Sequence, residues 1–170
     1  MIKFSQYLKN SDKNDLIKDL KYLYDNFQSI KEFYTSRLET NGRKKLFVKY
    51  RDKIKNEFFP NSGDGKCRLS VAKKVIKDYK KITNDIVGVI ELMLVYVELG
   101  VDYTQEYGDI NENYYHNIHS TYIDLLELIF EYDLENEYKQ SCLKVAESSE
   151  GIGWGFHDAM MDTYFDFYNP

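Results

Sequence analysis

Glu112, His116 and His119 stand at i, i+4 and i+7. With about 100° of rotation per residue, a helix carries all three on one face. A carboxylate and two imidazoles so placed are donors for a divalent metal. Helical bundles complete such sites with carboxylates from a facing helix. Asp102 and Glu106 could approach if the segments around Gly108-Asp109 fold back as a hairpin. The spacing is not HExxH, and one helix carries the whole cluster. The plainer alternative is two boundary histidines beside solvated acids. A divalent metal here is the one cofactor the sequence offers, and the enzyme it would serve is the runner-up reading.

His157-Asp158 is a second candidate, because a carboxylate can orient an imidazole that acts as a base. Adjacent helical residues point about 100° apart, which works against a direct bond. No activated nucleophile accompanies them. Ser148 and Ser149 lack an elbow motif, and Cys67 and Cys142 lack a charged context. No catalytic residue can therefore be named, and the balance is against an enzyme.

The run Gly151-Ile152-Gly153-Trp154-Gly155-Phe156 is not the dinucleotide fingerprint, which needs GxGxxG after a strand. Backbone N–H groups at a glycine-rich helix entry can still face an anion. The preferred reading is a tight structural turn. Trp154, the only Trp in the chain, would plug the core, with Gly153 and Gly155 permitting close backbone approach.

Basic residues form two stripes. Arg43, Lys44, Lys45 and Lys49 continue through Arg51, Lys53 and Lys55 on one predicted helix; Lys73, Lys77, Lys80 and Lys81 mark the next. Such stripes can neutralise phosphates. The interleaved Phe47, Tyr50, Phe58 and Tyr79 fall at core spacing, which removes them from base stacking. No helix-turn-helix or zinc-finger signature is present. Nucleic acid is thus a second alternative, behind a solvated face or contact with an acidic surface.

An acidic surface is available. Residues 1–84 hold 21 Lys and Arg against 10 Asp and Glu, while residues 85–170 hold 2 against 18. The formal charges are +11 and −16, hidden within a net −5. A split of this size can organise a partner, a self-assembly or the fold itself. The two parts are expected to face each other, within one molecule or between copies. The preferred reading is a binding protein whose partner is another protein or a copy of itself, met through charge-complementary surfaces.

The elements that must position these residues read as helices. The chain of 170 residues fits a single domain over 1–170, basic in 1–84 and acidic in 85–170. Such a length buries roughly 70% of the unfolded surface. With 43% hydrophobic and 30% charged residues it is a globular, not a disordered, composition. Only Pro60 and Pro170 occur, which favours helices. Ser11 is a candidate N-cap for a helix carrying Leu16, Leu20, Leu23 and Phe27. Ile30, Phe33, Tyr34 and Leu38 line the inward face of the next. Phe47, Tyr50, Ile54 and Phe58 follow, with Pro60 as the stop and a loop or hinge over 60–69. Ser70 is a candidate cap for the following helix, with Ala72, Val75, Ile76, Tyr79 and Ile82 on one face. A long apolar helix near 85–107 is the predicted centre, with Gly100 as a kink and Gly108 as a left-handed cap. Helices over 111–130, around 134–145 and after Gly155 follow, the last carrying Met160, Met161, Tyr164, Phe165 and Tyr168. Period-two alternation is nearly absent. The fold class is all-α, a compact bundle of about seven to nine helices.

Cys67 and Cys142 form no CxxC pair, and the first residues lack an apolar signal core. The most apolar stretch, 87–101, is interrupted by Glu91 and Glu98 and falls short of the about 20 residues a membrane span needs. These features fit a cytoplasmic protein with no membrane partner.

Tyr107-Gly108-Asp109-Ile110 and Gly151-Ile152-Gly153-Trp154-Gly155-Phe156-His157-Asp158 resemble stretches of an uncharacterised bacterial family of small all-helical proteins. The opening, from Leu8 through Ser11 to Leu16-Ile17 and Lys31-Glu32-Phe33-Tyr34, is similar too. The likeness covers nearly the whole chain, and its most specific part is the C-terminal Gly-Trp-Gly-Phe-His-Asp motif. It implies a bacterial, one-domain, helical protein and brings no activity, cofactor or catalytic residue.

Overall fold

The computed structural model describes residues 3–169. Among the described residues there are nine α-helices and no strand: α1 (Phe4–Asn10), α2 (Lys13–Asn26), α3 (Gln28–Leu38), α4 (Gly42–Phe58), α5 (Leu69–Thr83), α6 (Ile86–Tyr107), α7 (Glu112–Glu131), α8 (Glu135–Glu147) and α9 (Phe156–Tyr168). None is long and apolar enough to cross a membrane. The chain divides into two units, Met1–Leu46 and Phe47–Pro170, and the segment 60–68 lies inside the second.

In the first unit, Ser11 closes α1, donating its hydroxyl to the Tyr7 carbonyl at 2.8 Å. The expected Ser11 cap is one residue early. Asp12 caps α2 by accepting from the N–H groups of Asn14 and Asp15 at 2.7 and 2.9 Å, a carboxylate meeting the free donors of the first turn. Helix α2 packs on α3. The inward face expected for α3 is only half realised: Ile30, Phe33 and Tyr34 are half-buried, Leu38 is 78% exposed, and Glu32 and Ser36 are buried instead. Within this unit the packing covers one side of α3 and leaves its end at Leu38 to solvent.

The second unit has a true core. Helix α6 packs against α5, α7 and α8, and α9 lies on α7 and α8. The buried residues of α6 include Val89, Ile90, Leu92, Met93, Tyr96, Val97 and Val101, so it is the central apolar helix that the sequence predicts. Asp85 caps it through the Gly88 N–H at 3.2 Å, and Asn84 closes α5 in a left-handed conformation. Gly100 does not end or divide α6, which is assigned as one helix through it. A Cβ at Gly100 would lie 2.5 Å from Ile118 Cδ1, so its role is close packing of α6 on α7. The tyrosine hydroxyls reach backbone: Tyr114 donates to the Gly100 carbonyl at 2.7 Å and Tyr122 to the Cys142 carbonyl at 3.0 Å.

Candidate functional site

Helix α5 buries Ala72, Ile76 and Tyr79 and turns its lysines outward, as an amphipathic helix must. Lys73, Lys77 and Lys80 do not spread over open surface. Together with Ile76, Val89, Met93, Thr121, Asp124 and Leu128 they line a groove of about 220 Å³ between α5, α6 and α7. The floor is apolar and buried, and the rim carries the three lysines with the single exposed carboxylate of Asp124. Burial holds the Lys73 ammonium below the usual lysine range; Asp124 opposes that shift and Lys77 adds to it. Three charged amines beside an apolar floor suit an acidic partner that also brings an apolar side chain.

The other predicted basic residues are not among those that line this groove. Arg43, Lys44 and Lys45 lie exposed at the start of α4 in the first unit, where Lys45 pairs with Glu39 at 2.7 Å. Lys49 is exposed further along α4. The ion pairs Lys18–Asp15, Lys45–Glu39, Arg51–Asp52, Arg68–Glu57 and Lys74–Asp78 all have both partners ahead of residue 85. None of them joins the basic part to the acidic part.

Glu112, His116 and His119 do share one surface, a pocket of about 170 Å³ closed by Tyr115, Trp154, Gly155, Phe156 and Ala159. His119 Nε2 lies 2.8 Å from the Thr163 hydroxyl, and burial holds its ring below the usual histidine range. Among the described residues, no group of three or more His, Cys, Asp or Glu side chains is arranged to hold a metal ion. Asp102 and Glu106 line other surfaces: Asp102 stands beside Glu98 and Lys144, and Glu106 beside Lys55 and Phe59.

The glycine-rich turn departs from expectation. Trp154 is 64% exposed and is not the core plug. Its φ of 62° and that of Gly155, 67°, reverse the chain and send the indole outward. Phe156 fills the core in its place, its ring centroid 5.2 Å from that of Tyr115. Gly153 faces Asp109, whose carboxylate a Cβ there would meet at 3.3 Å. His157 turns from Asp158 to Ser149, with Nδ1 2.9 Å from the hydroxyl. Ser149 is fully buried and donates to the Ala146 carbonyl at 2.6 Å, so the pair secures the turn after α8. Burial raises both thiols, Cys67 to about 11 and Cys142 to about 12, away from nucleophilic thiolate.

One surface escaped the sequence reading. Phe165, one of the apolar residues that mark the last helix in the sequence, is 44% exposed. Helix α9 buries Phe156, Met160 and Tyr164, and on its far side Asp158, Asp162 and Asp166 are exposed at i, i+4 and i+8. The aspartate spacing was the available signal.

No curated protein and no solved structure matches the chain. A family model does, over residues 2–167, and the chain therefore belongs to a family of unknown function, DUF6155.

Proposed function

We propose that this protein acts by binding another protein chain through charge-complementary surfaces, and that a second copy of itself is the partner. The observation that carries the reading is the clustering of three lysines at one apolar groove, outside the five ion pairs named above. Lys73, Lys77 and Lys80 rim their groove outside those pairs, while residues 85–170 carry a formal −16. Surfaces of opposite sign attract across a Debye length of about 8–10 Å at moderate salt, and further at low salt. The reading includes a bacterial, cytoplasmic setting, supported by the free thiols Cys67 and Cys142 and by the Gly-Trp-Gly-Phe-His-Asp motif.

Light scattering on the purified chain alone tests it. Association that strengthens below physiological salt and weakens above it supports the proposal. Monomeric behaviour at low salt, with tight binding of a labelled oligonucleotide whose affinity falls steeply with salt, would replace it with polyanion binding.

A further inference from the structure

Two of the surfaces that the second unit leaves exposed match each other. The groove between α5, α6 and α7 presents Lys73, Lys77 and Lys80 along one wall. At about 1.5 Å per residue these lysines span about 10 Å. On the outer side of α9, Asp158, Asp162 and Asp166 span about 12 Å by the same rise. Phe165 rises from that acidic face, exposed although it is among the largest apolar side chains. The groove floor offers what a phenyl ring needs, with Ile76, Val89, Met93 and Leu128 below the amines. None of the three aspartates, and none of the three lysines, belongs to the ion pairs described above.

We infer that α9 of one copy docks in the α5–α6–α7 groove of a second copy, with Phe165 on the apolar floor and the aspartates against the lysines. The inference rests on the charge-complementary self-association proposed above and assigns its surfaces. Helix-in-groove recognition uses this division of labour: an apolar anchor supplies most of the affinity, and flanking charges set register and partner. A two-fold dimer makes the contact twice, each copy giving one helix and one groove. The half-buried Lys73 gains because a carboxylate from outside adds to the attraction of Asp124 in offsetting the desolvation its ammonium bears.

Charge exchange tests the assignment. Two full-length variants are made, D162K/D166K and K77E/K80E, and sedimentation velocity is run at low and moderate salt, separately and as an equimolar mixture. All four positions are exposed, so both variants should fold, and circular dichroism confirms it. Each variant alone sets like charges against each other and should sediment as a monomer. The mixture should recover a salt-sensitive complex, because lysines on α9 then meet glutamates at the groove, and the unaltered pair meets as before. Phe165→Ala should weaken wild-type association about tenfold or more, as loss of a buried aromatic anchor does. If the wild type associates at low salt but both variants associate as strongly, the α9–groove contact is wrong and charge-driven self-association stands. A wild type that stays monomeric at low salt overturns both.

Discussion

Arg68 grips Glu57 with two parallel hydrogen bonds, Nε to Oε2 at 2.9 Å and Nη2 to Oε1 at 2.7 Å. The clasp closes the loop between α4 and α5, with the Cys67 N–H donating to the Glu57 carbonyl at 2.6 Å beside it. Glu57 is buried and Arg68 half exposed, so the carboxylate depends on this partner more than the guanidinium does. Arg68→Ala should cost about 1–3 kcal/mol in chemical denaturation, because it strands a buried acceptor. The Arg68 guanidinium holds the Glu57 carboxyl below the usual range, even though burial works the other way. A lowered folded pKa contributes stability that is present above the unfolded value near 4.5 and lost as pH falls through the folded value. The wild type should therefore lose more stability than Arg68→Ala on acidification below about 4.5. Equal acid sensitivity of the two would show that the clasp contributes nothing.

Trp154 gives a direct optical test of the turn. It is the only Trp in the chain, its side chain is mostly exposed, and its backbone is left-handed. The native emission should be that of a water-exposed indole, open to iodide quenching and shifting little on unfolding. Trp154→Gly should hold stability within about 1 kcal/mol of wild type or raise it, because glycine relieves the positive φ. A blue-shifted, unquenched emission, or a loss of about 3–5 kcal/mol as for a core deletion, would restore the indole to the core.

Periodicity made the helices legible where both faces have partners. The helix predicted near 85–107 is α6, Ile86–Tyr107, because apolar residues around most of its axis have one destination, the centre of a bundle. Periodicity was least informative at helix faces that no neighbour covers. Leu38 and Phe165 have core spacing and yet lie exposed, since spacing says which side of a helix is apolar, not whether anything covers it. Trp154 misled for a different reason. Large aromatics belong inside on average, but a residue flanked by Gly153 and Gly155 takes its direction from the backbone. The groove was half legible. Lys73, Lys77 and Lys80 were visible as a stripe, while Thr121, Asp124 and Leu128 come from α7, far away in sequence.

The buried tyrosines make a controlled comparison. Tyr122 OH donates to the Cys142 carbonyl at 3.0 Å, whereas Tyr138 OH is buried without a hydrogen-bond partner among the described residues. Tyr122→Phe should cost about 0.5–1.5 kcal/mol, and Tyr138→Phe should be neutral or stabilising. Urea midpoints at constant m-value measure both. A larger loss for Tyr138→Phe than for Tyr122→Phe would reverse the assignment of their hydroxyls.

Ser149 and His157 look like a nucleophile and its base only in outline. The serine is fully buried, and its proton goes to the Ala146 carbonyl, which leaves the His157 ring to donate to the hydroxyl. A fluorophosphonate probe should leave Ser149 unlabelled in the native protein. Ser149→Ala should instead lower stability by about 1–2 kcal/mol, as for a buried hydroxyl with two partners. Rapid, stoichiometric labelling at Ser149 would make the pair catalytic and reverse the reading of this turn.

Glu98 has the opposite electrostatic character to Glu57. Burial raises its carboxyl above the usual range, the nearby Asp102 charge adds to the shift, and Lys144 opposes it. A raised folded pKa contributes stability that is fully present below the unfolded value near 4.5 and lost as pH rises through the folded value. At neutral pH the protein therefore carries the cost of an ionised, partly desolvated carboxylate beside a second acid. Glu98→Gln keeps the shape and removes that charge. It should raise the melting temperature at pH 7, and the gain should shrink as the pH is lowered, vanishing below about 4.5, where the wild-type glutamate is protonated in both states. Thermal unfolding of the two proteins across that window measures the difference. A loss of stability at pH 7 would mean that the Lys144 attraction outweighs burial and the Asp102 repulsion, and would reverse the sign assigned to this site.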